Sequence, residues 1–167
     1  MAENEKMIEQ RCCELLKARG MTFAAAESCT GGLIAKRLTD IPGASQTFLG
    51  GVVSYTNAVK QHVLGVPASL LETYGAVSAP VARAMAMGVR VLTGSDLALS
   101  VTGLAGPAGD DHGNPVGTVF TALSTPQGVF VRQLALGGDR ERIRTLSAHH
   151  ALDLLRRYLT DQMTGGE

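Results

Sequence analysis

The chain has 167 residues, of which 45% are hydrophobic, 18% charged and only 4% aromatic, with no tryptophan. That length suits one domain, on the order of 150 residues being usual, with a core built from Ala, Val and Leu. Fifteen Lys and Arg offset fifteen Asp and Glu, which argues against non-specific nucleic-acid binding, where a basic face provides the attraction, without excluding a small cationic pocket, and no apolar run approaches the ~18 residues of a membrane span.

The stretch from Met1 to Arg11 is polar and rich in Glu, unlike a basic and apolar secretion signal. Cys12, Cys13 and Cys29 match neither a metal-knuckle spacing nor a disulfide framework. A soluble cytoplasmic protein is expected, with no membrane and no nucleic acid among its partners.

Glu5 to Arg19 places Met7, Ile8, Cys12, Leu15 and Leu16 near one face at helical period, and Gly20 supplies a stop. Thr22 to Ala26 is short and apolar. It leads through Glu27-Ser28-Cys29-Thr30-Gly31-Gly32 into a helix over Leu33 to Thr39. Phe48 to Tyr55 is rich in strand formers, and Thr56 or Asn57 caps a helix running to about Leu64, ended by Gly65-Val66-Pro67.

Ser78-Ala79-Pro80 starts a further helix, because a proline in the first turn gives up no hydrogen bond, and Val81 to Leu92 continues it as an Ala and Met rich run. Asp96 to Thr102 is a continuous apolar strand delivered to the loop Gly103-Leu104-Ala105-Gly106-Pro107. Thr118 to Ser124 and Val129 to Leu136 are joined too tightly for a parallel crossover, so they form an antiparallel hairpin. Asp139 to Leu159 is the last helix. Alternating helices and buried strands predict a three-layer α/β/α sandwich with a mixed, mostly parallel sheet, in which ligands bind at strand carboxyl ends.

Three loops meet that expectation: Glu27 to Gly32, Tyr55 to Lys60, and Thr102 to Pro107. Ser28 follows a strand and precedes a helix, so its hydroxyl sits on a tight bend beside backbone N–H groups suited to an oxyanion or a phosphate. Capping of the helix by Ser28 or Thr30, with Gly31 and Gly32 serving the turn, accounts for the same residues. Lys60 lies in a first turn, where the helix dipole disfavours a cation; that field and partial burial would lower its pKa, as a general base for a serine requires. A solvated surface lysine is the plain alternative. Tyr55 either orients that lysine or only packs.

Thr102 and Gly103 end a buried strand, where they contact substrate or merely serve the turn. Arg140 and Arg144 share a helix face after Gly137-Gly138-Asp139, so an anionic ligand or an ordinary solvated helix end explains them. Asp110-Asp111-His112 is the one acidic and imidazole cluster and has no second ligand spacing, so no metal site is expected.

The series Ala26-Glu27-Ser28-Cys29-Thr30-Gly31-Gly32, Tyr55-Thr56-Asn57 with Lys60, Gly75-Ala76-Val77-Ser78, Thr102-Gly103-Leu104-Ala105-Gly106-Pro107, Pro115-Val116-Gly117-Thr118-Val119 and Gly138-Asp139-Arg140 resembles the CinA C-terminal domain family. The match runs from about Glu5 to Leu159. The resemblance implies nicotinamide mononucleotide amidohydrolase activity without a metal or organic cofactor, in a form lacking the separate nucleotide-processing domain of longer relatives, and a homodimer. It assigns Ser28 as nucleophile, Lys60 as its base with Tyr55 assisting, Thr102 near the reacting amide, and Arg140 and Arg144 to the substrate, though the arginine-rich stretch aligns in more than one way. A non-catalytic nucleotide- or partner-binding module linked to competence or DNA damage is the rival function.

Overall fold

The computed structural model describes residues 7–163. Five strands form one sheet in the order β2-β1-β3-β4-β5: β1 (Phe23–Glu27), β2 (Phe48–Val53), β3 (Leu97–Gly103), β4 (Thr118–Thr125) and β5 (Gly128–Ala135). β1 is parallel to β2 and β3, and β4 is antiparallel to both its neighbours. Only β4 therefore runs against the other four strands, and its turn to β5 is the tight Pro126-Gln127 link.

The helices are α1 (Ile8–Arg19), α2 (Leu33–Thr39), α3 (Asn57–His62), α4 (Ala68–Tyr74), α5 (Ala79–Thr93) and α6 (Arg140–Leu159). Glu5, at the start of the expected first helix, lies outside the described residues. α4 was not expected from the sequence, nor was the 3-10 turn at Ala44–Gln46.

The pleat decides which helix covers which face. Phe23, Ala25, Leu97, Leu99, Val101, Val119 and Leu123 point to one side, where they pack with α1, α2 and α6 in the larger core. Ala24, Ala26 and Ala98 point to the other, beneath α5 and the α3–α4 segment. The second face is lined with small side chains, which lets α5 lie close to the sheet. Ser100 on that face donates to the Ala82 carbonyl of α5 at 2.6 Å, which satisfies a fully buried hydroxyl.

β2 is an edge strand whose side chains alternate between half-buried and exposed. Gly51 is required there, since a Cβ would stand 2.5 Å from the Ala25 carbonyl oxygen. Because β1 connects outward to β2, and β2 returns past it to β3, the strand order reverses between β1 and β3. That reversal opens a crevice at their carboxyl ends.

Candidate active site

Ser28 stands at this crevice, one residue past β1. Its N–H donates to the Val101 carbonyl at 2.9 Å, and on the other side the Ser54 N–H donates to the Glu27 carbonyl at 2.8 Å. The bend carrying the serine is thus clamped between both neighbouring strands. The Gly31 N–H returns to the Ser28 carbonyl at 3.1 Å, closing a turn, and Gly31 and Gly32 take φ of +57° and +100°, conformations available to glycine at little cost.

The helix that follows is not an open anion site. The buried Glu27 carboxylate accepts the Ile34 N–H at 2.8 Å and the Ala35 N–H at 3.1 Å. The Leu33 and Lys36 N–H groups donate to the Thr30 and Gly32 carbonyls. Of the four amides that a helix start leaves without an intrahelical partner, those of Leu33, Ile34 and Ala35 are occupied and that of Gly32 is not, and Glu27, rather than the side chain of Ser28 or Thr30, is the residue that caps two of them.

Lys60 reaches the serine from α3. Thr56 caps that helix by accepting the Val59 N–H, as the sequence anticipated, and the Lys60 side chain is 1% exposed. Its Nζ donates to Ser28 Oγ at 2.9 Å and to the Ser54 carbonyl at 2.8 Å. Burial disfavours the charged form and lowers the Lys60 pKa to about 8. Desolvation, rather than the dipole of a six-residue helix, causes this shift. A neutral amine has two N–H groups and one lone pair, so with one N–H held by Ser54 the lone pair is free to accept the Ser28 hydroxyl proton. Ser54 was not singled out from the sequence, because it acts through a carbonyl that every residue has.

Ser28, Cys29, Tyr55, Gly103, Gly106 and Arg140 line one cavity of about 260 Å³. Tyr55 is 55% exposed, and its hydroxyl accepts from Arg140 at 2.8 Å; the same guanidinium donates to the Gly106 carbonyl at 2.6 Å. Arg140 therefore ties the lips of two loops together at the start of α6. Tyr55 is bonded to this arginine and not to Lys60.

Other expected site residues are placed elsewhere. The Thr102 hydroxyl is buried and donates to the Ala76 carbonyl at 2.7 Å, anchoring the segment before α5. Asn114 donates to the neighbouring Val77 carbonyl at 3.2 Å, so the Gly75–Ser78 motif is held in place. Thr30 is fully buried, and its Oγ1 has no hydrogen-bond partner. Arg144 donates from Nε to the Cys29 carbonyl at 3.0 Å and from Nη2 to the Thr30 carbonyl at 3.1 Å. Gly31, at φ +57°, lies against it: a Cβ there would come within 3.2 Å of Nη2.

Cys29 is no rival to Ser28 as nucleophile, since burial raises its thiol pKa to about 11. Among the described residues no cluster of three His, Cys, Asp or Glu is arranged to hold a metal ion. His112 instead rests over Gly75, where any Cβ would meet its ring. No helix among them is long and apolar enough to cross a membrane.

Comparison with known proteins agrees with this architecture. The CinA-like protein of Desulfotalea psychrophila is 58% identical over 146 residues, covering 87% of this chain and 35% of the relative. The CinA-like protein of Geobacter sulfurreducens is 52% identical over 159 residues, covering 95% and 38%. The chain thus spans well under half the length of these curated relatives. Among solved structures, a competence-damaged protein (CinA) superfamily protein from Klebsiella pneumoniae 700603 superposes with a TM-score of 0.90 at 32% identity, covering 92% of this chain and 96% of that one. The competence/damage inducible protein CihA from Agrobacterium tumefaciens gives 0.87 at 38% identity, covering 92% and 93%. Residues 5–159 match the CinA C-terminal domain, and the chain belongs to that family.

Proposed function

We propose that the chain hydrolyses the carboxamide of nicotinamide mononucleotide to nicotinate mononucleotide and ammonia, a step of pyridine nucleotide salvage. The observation that carries this reading is the buried Lys60 amine 2.9 Å from Oγ of Ser28, a residue that lines a cavity. A serine made nucleophilic by an uncharged lysine suits acyl transfer, and the carboxamide carbon is an acyl centre.

In the proposed sequence neutral Lys60 takes the hydroxyl proton as Ser28 Oγ bonds to the carboxamide carbon. The resulting oxyanion is held by N–H donors of the surrounding loops. Protonated Lys60 then gives its proton to the leaving nitrogen, the C–N bond breaks, and ammonia departs from an acyl-serine. Water, deprotonated by the same amine, attacks the acyl carbon and releases the carboxylate with Ser28 restored. This chemistry calls on no metal or organic cofactor. Arg140, an exposed residue lining the cavity at the start of α6, is the residue we assign to the phosphate.

The free thiols of Cys12, Cys13 and Cys29 support a reducing, cytoplasmic setting. For the homodimer, the supporting surface is the outer side of α5, where Met87, Val91 and Leu92 stand exposed beside Val63 around an apolar groove of about 890 Å³. Light scattering at micromolar concentration that finds only a monomer overturns that assignment.

The experiment for the activity is ammonia release from nicotinamide mononucleotide by the purified chain and by Ser28→Ala. Loss of the nucleophile lowers kcat by ~10³ or more. Undiminished turnover removes Ser28 from the mechanism. A wild-type chain that binds the nucleotide without consuming it supports the binding-module function instead.

A further inference from the structure

We infer that Arg144 is a positioning residue that sets the peptide planes of the nucleophile loop, and not a ligand of the substrate. The inference rests on the amidohydrolase reading of Ser28 and Lys60.

One planar guanidinium holds two consecutive carbonyls, those of Cys29 and Thr30, at 3.0 and 3.1 Å. Such a fork fixes both peptide units at once, which a point charge does not. In a trans peptide the N–H points opposite to the C=O, so the Thr30 and Gly31 N–H groups are turned away from Arg144. Gly31 uses its own to close the turn onto Ser28.

Of the backbone amides from Ser28 to Lys36, those of Ser28, Gly31, Leu33, Ile34, Ala35 and Lys36 already have acceptors. The donors left to the loop are those of Cys29, Thr30 and Gly32. Arg144 fixes the direction of the Thr30 donor and, by drawing charge through the Cys29 carbonyl, strengthens it. Gly31 supplies the space this needs, since a Cβ would intrude on Nη2. Arg140 lies about 6 Å further toward the start of α6, at the cavity mouth, so the two arginines divide their work.

The test compares wild type with Arg144→Gln and Arg144→Lys, following kcat and KM for ammonia release from nicotinamide mononucleotide. In parallel, intact mass follows the rate at which a fluorophosphonate labels Ser28, a reaction that forms an Oγ–P bond and releases fluoride. Arg144→Gln is expected to lower kcat roughly 30- to 100-fold, somewhat less than removal of an oxyanion donor itself. KM stays within about twofold, labelling slows in parallel, and the lysine variant recovers part of both rates. If the glutamine variant does not fold, the lysine variant decides on the same readouts.

A raised KM with kcat retained makes Arg144 a substrate ligand and overturns the inference, as does no change in either constant. A wild-type chain that is labelled at Ser28 but releases no ammonia refutes the substrate assignment alone and leaves the labelling rates to judge Arg144. A wild-type chain with neither reaction overturns both.

Discussion

Changing the pH from 7 to 9 titrates Lys60 while leaving the geometry around it intact. With its pKa lowered from 10.5 to about 8, the amine is neutral in about a tenth of molecules at pH 7 and about nine tenths at pH 9. If only the neutral form accepts the Ser28 proton, kcat/KM for ammonia release rises about tenfold over that interval and levels off above it. A lysine of ordinary pKa gives a rise of about a hundredfold over the same interval and no plateau. The substrate phosphate has its second ionisation near pH 6, below this window. Initial rates of ammonia release from pH 7 to 10 at sub-saturating nucleotide measure the profile. A flat line, or a climb that continues undiminished to pH 10, refutes a desolvated lysine as the base.

The same shift acts on stability. Between pH 8 and 10.5 the unfolded chain binds more protons than the folded one at Lys60, so wild-type stability rises with pH across that window, by roughly 3 kcal/mol at most. Lys60→Met lacks this term, and urea unfolding at pH 7.5 and 10 should show the two proteins diverging; parallel behaviour argues against the shift. Arg140→Ala removes a charge-assisted bond worth ~1.5–3 kcal/mol, so KM should rise about 10- to 100-fold with kcat largely kept. Tyr55→Phe, which removes only the hydroxyl bonded to Arg140, should raise KM by a smaller factor. Glu27→Gln replaces one acceptor of the α2 amides with a donor and should cost about 1–3 kcal/mol in urea unfolding.

The order of elements and the position of Ser28 were legible because both are local. A short apolar run, a polar bend with two glycines and an amphipathic segment specify strand, turn and helix within about fifteen residues. Lys60 was legible for a different reason: a cation beside a helix cap breaks a local preference. What escaped depends on partners remote in the chain. Arg140 and Arg144 share a helical stripe, which suggested a common ligand. One turn of rise instead carries Arg144 to carbonyls 115 and 114 positions earlier, while Arg140 stays at the cavity mouth.

Thr102 follows the period of two from Ser100 toward α5, but nothing local announces that Ala76 runs beside it. Glu27 reads in sequence as one more polar residue of the bend, and its capping of α2 becomes visible only when strand and helix are seen in space. α4 was missed because seven residues between Pro67 and Gly75 carry too little periodicity to identify a helix.

The carboxylate of Glu27 has a consequence for the direction in which a ligand enters. With the Ile34 and Ala35 amides already spoken for by an internal acid, the α2 end of the crevice repels further negative charge and is suited to an uncharged head group. The α6 end offers Arg140 and welcomes an anion. On the proposed reading, a molecule with a neutral amide at one tip and a phosphate at the other fits this gradient in a single sense, and the reversed pose sets like charge against like.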